Sequence, residues 1–379
     1  MKWFLLTFFC FALLTPSFAA SVEDVKYETN ENGTLTITDC NRNALGELII
    51  PATMNGKRVV EIGDKTFSDC LYLTSVTLPE GVVRIGAGAF SGCSRLTSVT
   101  LPEGVTEIGA YAFTYCSQLT SITLPKGIAI REGAFSDCAG LTSVMMPEGV
   151  TKIEAATFRG CSGLTSITLP EGITTIGKDA FAYCSHLASV TIPKGVSSLG
   201  ERSFFECATL TTVTLPEGVT AIEKEAFRKC TRLTSVTLPS SVTKIGESAF
   251  GECYRLTSVT LPEGVTEIGM GAFFACDCLE SVIIPLRVEI KEGAFTGCTA
   301  IEEMIFRGPP PQVKPLNEKA KEALEEKKGI SDPETLPDTR GYYLPEYAKD
   351  WEAILGGETG EWNNLRMKPL PKRMFKLLH

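Results

Sequence analysis

Histidine is almost absent from this 379-residue chain, which has only His186 and His379. Histidine-rich metal sites and histidine-based acid–base chemistry therefore have little to draw on. No GxSxG elbow, Walker loop or HExxH helix occurs. Gly86-Ala87-Gly88 begins like a dinucleotide loop, but the third glycine falls at Gly92, out of place. Basic residues are outnumbered, 36 against 45 acidic, for a formal charge of −9. That balance argues against nucleic acid or an anionic membrane as the main partner. After the first twenty residues no run is apolar enough to span a bilayer.

The N-terminus does hold an apolar stretch. Lys2 precedes WFLLTFFCFALL, and small residues follow at Ser17 and Ala19. About 12 apolar residues are too few for a membrane span. The pattern predicts a signal peptide over residues 1–19, cut after Ala19, and hence a protein secreted, held at the cell surface, or released into a periplasm.

What the chain has in abundance is one repeated unit. LTSVTLPEGVTEIGAYAFTYCSQ, beginning at Leu96, recurs with a cysteine near its end. These cysteines are Cys70, Cys93, Cys116, Cys138, Cys161, Cys184, Cys207, Cys230, Cys253, Cys276 and Cys298, spaced by 23 residues, or by 22 before Cys138 and Cys298. Such a period predicts a solenoid, and no single unit can bury its own apolar face. Leu96, Val99 and Leu101 should point inward from a strand while Ser98 and Thr100 point outward. Pro102-Glu103-Gly104 should close a type I turn with proline second and glycine fourth. Val105 and Ile108 return to the core, and Ala112, Phe113 and Cys116 should fill the far side on a short helical turn. The two 22-residue units share IAIREGAF and VEIKEGAF, one coil variant used twice. Glu154 and Glu223 replace the usual glycine after the second isoleucine, so that position does not demand a positive φ.

Stacked coils relate equivalent cysteines by a translation of about 4.8 Å with parallel Cβ vectors. A disulfide needs Cβ atoms about 3.5–4.5 Å apart, zinc needs four converging ligands, and a catalytic thiol needs a base and an electropositive setting. A single file of thiols on an apolar face meets none of these needs. The expectation is a ladder of buried free thiols acting as small hydrophobes. Cys40 and Cys278 fall outside it, free or intermolecular, with Cys278 at a surface position and the more reactive.

The motif LTSVTLPEGVTEIGxxAFxxCxx resembles the BspA-like leucine-rich repeats of bacterial surface proteins, found also in some protozoan parasites. The resemblance covers about residues 30–306. It implies a leucine-rich-repeat solenoid, a curved right-handed stack of 22–23-residue coils, mostly β with short helical turns. It also implies a surface binding or adhesion role, and it carries over no functional residue.

The chain then divides into the signal peptide; an N-terminal cap with a first irregular repeat, 20–66; the repeats, 67–306; a C-terminal cap with an inserted charged helix at 318–328, 307–365; and a basic tail, 366–379. The pattern stops at Arg307-Gly308-Pro309-Pro310-Pro311, a poor continuation for a strand ladder. Surface chemistry is what remains. The glutamates after the turn prolines (Glu80, Glu103, Glu148, Glu171, Glu217, Glu263) form a solvated rim that selects no catalytic pair, and His186 lacks an identifiable partner. Variable positions near the cysteines offer Tyr72, Tyr111, Tyr115, Tyr183, Phe205, Tyr254 and Phe274, interspersed with Arg95, Arg228 and Arg255, a composition typical of interfaces. The sequence thus predicts an exported, non-enzymatic protein without cofactor that binds a protein or glycan. A structural envelope or scaffold protein is the alternative, and a carboxylate-dependent hydrolase a remote one.

Overall fold

The computed structural model describes residues 19–310, 340–343, 345–355, 360–362 and 365–369. The signal-peptide residues before 19, the expected helix at 318–328 and residues 370–379 lie outside these.

Each repeat makes one coil with three sides. Ser98–Thr100 is a strand on the first side, and its residues stack in register on Ser75, Val76 and Thr77 of the preceding coil. Glu107–Ile108 is a shorter strand on the second side; Ile62, Ile85, Ile108 and Ile130 follow one another up the parallel stack. The expected alternation holds, with Val99 buried between exposed Ser98 and Thr100.

The turn between these strands starts one residue later than expected. The Val105 N–H donates to the Pro102 carbonyl at 3.1 Å, so proline is first and Glu103-Gly104 are central. Proline loses nothing there, because the first position contributes a carbonyl and needs no N–H. In the two shortened coils Gly127 and Arg287 take matching left-handed conformations, φ 68° and 66°. This supports one coil variant used twice.

The third side is not helical. Every coil, from that of Phe67 (coil 1) to that of Phe295 (coil 11), places two residues at positive φ, two before and two after its phenylalanine. Tyr111 (56°) and Tyr115 (60°) flank Phe113, and Arg202 (56°) and Glu206 (56°) flank Phe204. The reason is hydrogen bonding. Tyr111, Phe113 and Tyr115 donate their N–H groups to Glu132, Ala134 and Ser136 of the next coil at 2.9, 2.8 and 3.0 Å. A helix would spend those donors within its own chain. Left-handed residues other than glycine are costly, and here three inter-coil bonds per coil hold them.

The phenylalanines form a continuous spine, with ring centroids 4.9–5.7 Å apart and planes within 15°. Coil spacing is tight at the glycine after the second isoleucine, although Glu154 and Glu223 show that some coils admit a side chain there. Gly109 is not at positive φ, but a Cβ there would lie 2.6 Å from the Ala87 nitrogen.

Two caps close the stack. At the N-terminus Val25–Thr29 pairs antiparallel with Leu35–Cys40, which runs parallel to Lys57–Ile62. At the other end the strand ladder does not stop at Phe306. Glu303–Phe306 pairs in parallel with Arg340–Tyr343, and that strand pairs with Leu365–Pro369. The start of the basic segment is thus a strand of the sheet, and the boundary expected at 366 cuts through it. Trp351, on the helix Ala348–Leu355, stacks on Tyr343 and donates its Nε1–H to the Gly308 carbonyl at 3.0 Å. The Arg-Gly-Pro segment is thereby the acceptor that seats the lid.

Trp351→Ala should open the C-terminal end first, since the lid ring fills the last core layer. Hydrogen exchange read by mass spectrometry should show Glu303–Phe306 and Arg340–Tyr343 losing protection while the coils around Phe181 keep theirs.

Candidate functional site

The thiol ladder is present and has a structural task that the spacing did not reveal. From Cys93 to Cys298 each buried Sγ donates to the phenylalanine carbonyl of the preceding coil at 3.0–3.2 Å. That carbonyl already accepts the N–H of its own coil's cysteine, as Phe67 does from Cys70 at 3.1 Å. Cysteine is small enough for the core and still supplies a weak donor for the second lone pair. Burial pushes the thiols from Cys116 to Cys276 up, Cys138 and Cys230 to about 12. Among the described residues no group of three or more His, Cys, Asp or Glu could hold a metal ion. Likewise, no described helix is long and apolar enough to cross a membrane.

The aromatic and basic candidates separate into two sets. Tyr72, Tyr111, Tyr115 and Tyr254 are exposed, Tyr115 most at 61% and Tyr254 least at 39%. Arg95 and Arg255 are exposed beside them, with the Arg95 guanidinium 5.5 Å over the Tyr72 ring. Tyr111 lies flat over Gly133, where a Cβ would meet its ring at 2.3 Å, and its hydroxyl donates to Glu132 at 2.8 Å.

The second set departs from expectation. Phe205 is buried, only 6% exposed, and Tyr183, Arg228 and Phe274 are half-buried. Phe205 sits under Arg202 (4.3 Å) and Lys229 (5.6 Å) and meets the Tyr183 ring edge-on. Tyr183 lies between Arg159 and Arg202, and accepts a hydrogen bond from Arg202 at 2.9 Å. Arg202 Nε also lies 3.0 Å from Asp179, an ion pair without hydrogen-bond alignment. Arg228 is clamped between Glu225 (2.7 Å) and Glu252 (2.6 Å). Tyr183, Phe205 and Arg228 belong to three successive coils, and their partners within the stack take up their binding capacity.

The exposed set does not form one patch. Tyr72 is in coil 1 and Tyr254 in coil 9, about 40 Å apart at the spacing of paired strands. On the strand face the hydroxyl rows are interrupted by Met145, 74% exposed, and by exposed Ile49. His186 does have a partner: its Nδ1 meets the Ser162 carbonyl at 2.6 Å. The rim glutamates are all exposed.

Sequence reading missed two threonine ladders. Thr97, Thr165 and Thr234 donate their hydroxyls to carbonyls of the preceding coil at 2.9–3.1 Å, and Thr106, Thr174 and Thr243 do so on the second side at 3.0–3.2 Å. Threonine recurring in one column at the repeat period was the available signal. Cys40 stands outside the ladder, free and buried at its foot, with its Sγ 3.6 Å from the Asn41 carbonyl that Cys70 Sγ also approaches.

Residues 60–188 and 174–302 match the BspA type leucine rich repeat region, in six copies. The chain belongs to this BspA-type leucine-rich repeat family. A leucine rich cell surface protein from Faecalibacterium prausnitzii is 30% identical over 81% of this chain and 97% of its own, with a TM-score of 0.50. A leucine-rich repeat protein from Bacteroides ovatus is 26% identical over 85% and 98%, with a TM-score of 0.42. The pneumococcal vaccine antigen PcpA, 18% identical over 92% and 97% with a TM-score of 0.50, shares the fold. No protein of curated function matches the sequence. The BspA-type frame accounts for the ladders, since the residues that recur are those facing the neighbouring coil.

The buried thiols give the array an alkaline limit. The folded values of the thiols from Cys116 to Cys276 are raised from the ordinary 9.0, to about 12 for Cys138 and Cys230. Below pH 9 both states keep the protons and the contribution is fully present. Above it only the unfolded chain ionises, so stability falls as pH rises from 9 towards about 12. Urea denaturation at pH 8, 10 and 11 should show this fall, and a Cys138→Ala, Cys230→Ala variant should show a shallower one.

Proposed function

We propose that this BspA-type protein is exported and non-enzymatic, and that it binds a protein or glycan partner through exposed side chains on a rigid array. The observation that carries the reading is the contrast between columns. Inward positions repeat Phe, Cys, Ile and Val, whereas Tyr72, Arg95, Tyr115, Tyr254 and Arg255 vary and remain exposed. Variable tyrosine and arginine presented by an invariant scaffold match the composition of binding hot spots. Groups spaced along some 40 Å favour an extended or multivalent partner, in which several weak contacts add through avidity. The cell-surface description of the Faecalibacterium relative and the apolar stretch at residues 3–14 support export.

A pull-down using residues 20–379 against envelope and host-matrix extracts would identify the partner. Ala substitutions at Tyr72, Tyr115, Tyr254 and Arg255 together should weaken capture at least about tenfold with an unchanged melting temperature. Ala at Phe205 should instead lower the melting temperature, because that ring is buried. Undiminished capture by the fourfold variant would remove these residues from the binding face.

A further inference from the structure

The first thiol of the ladder differs from all those above it. Cys93 through Cys298 each have a phenylalanine carbonyl at 3.0–3.2 Å, but the cap layer before Cys70 has no phenylalanine to supply one. Its Sγ lies 3.9 Å from the Asn41 carbonyl, an oxygen that Cys40 Sγ approaches at 3.6 Å. The two thiols thus converge on one carbonyl oxygen. Arg42 is the third member of the cluster. Its Nη1 is 3.9 Å from Cys70 Sγ and is anchored on the carbonyls of Cys40 (2.6 Å) and Thr66 (3.2 Å).

Cys40 is not a rung. It ends the strand Leu35–Cys40 and precedes Cys70 by 30 residues, outside the 22–23-residue translation. The translation forces rung cysteines to hold parallel Cβ vectors, whereas Cys40 reaches Cys70 from another part of the backbone. Only this pair escapes the geometry that disfavours rung-to-rung disulfides.

We propose that Cys40 and Cys70 form a disulfide that fastens the N-terminal cap to the first coil, while the thiols from Cys93 onward stay reduced. Either cysteine can be the first attacking sulfur, with the same stoichiometry. With Cys70 first, its thiolate attacks one sulfur of an external disulfide, such as oxidised glutathione, and expels a thiolate. The Cys40 sulfur, losing its proton to solvent, then attacks the Cys70 sulfur of the mixed disulfide and releases the second external thiol. Two protein thiols are oxidised and one external disulfide becomes two thiols. Both sulfurs are buried, so the reaction belongs to folding or to opening of the cap, before Leu35–Cys40 settles on the first coil.

The crosslink closes a loop over residues 41–69, which holds the strands Gly46–Ile49 and Lys57–Ile62, and ties the end of Leu35–Cys40 to the first coil. Constraining the unfolded form of that loop stabilises the array end, where a solenoid otherwise frays.

Full-length protein refolded with oxidised glutathione, digested without reduction and mapped by mass spectrometry, should contain one intramolecular disulfide, Cys40 to Cys70. Every rung from Cys93 to Cys298 should be alkylated only after denaturation. Reduction should lower the melting temperature of the wild type by several degrees and leave that of Cys40→Ser unmoved; exchange protection over Leu35–Cys40 should fall with it. Free Cys40 and Cys70 in the oxidised folded protein would overturn the proposal, as would a rung-to-rung bond or a Cys40–Cys278 bond. The wild-type map alone suffices if Cys40→Ser fails to fold.

Discussion

Hydrogen bonds hold neighbouring coils about 5 Å apart, and the remaining structure depends on that spacing. At this distance the nearest neighbour of a residue is its own counterpart one repeat away. A side chain is tolerated when a column of copies is favourable. Phenylalanine stacks on phenylalanine, isoleucine on isoleucine, and each threonine or cysteine donates to a carbonyl one coil back. Gly109 obeys the same rule from the other side, because a methyl group there would collide with the preceding backbone.

Some charged columns use the spacing, with neighbours that alternate in sign: Lys178 with Glu201, Lys224 with Glu247, Lys244 with Glu267. Like charges recur one coil apart where they are exposed, as at Glu80 and Glu103 of the rim. Exposed pairs of opposite sign contribute only about 0–1 kcal/mol each. Their effect is to keep variable surfaces compatible with stacking. Around Phe205 the same logic goes further, and rings, guanidinium groups and carboxylates of several coils close upon themselves. A varied surface column is therefore a binding candidate only where it has not already satisfied itself.

A translational stack has no natural end, so the caps must break the repeat. The C-terminal cap does so with Trp351, a residue too large to recur every 5 Å, over Phe306 and Tyr343. The N-terminal cap uses an antiparallel hairpin, and its Cys40 is placed outside the repeat period. Chemistry closed to the identical rungs becomes available only where translation fails.

By itself the sequence determined the period, the solenoid, the inward residues and the free ladder of thiols, because a fixed repeat forces equivalent residues into equivalent surroundings. It also marked Tyr72, Tyr115, Tyr254, Arg95 and Arg255 as outward. Tertiary structure alone decided that the third side is built from left-handed residues, that the turn begins at proline, that Phe205 and Arg228 are engaged internally, and that Cys40 and Cys70 converge on one carbonyl. Apart from the turn, which a hydrogen bond within its own coil closes, each of these depends on contacts between different coils. A pattern read within one repeat contains no term for the residue one layer away, and in this fold that residue decides exposure.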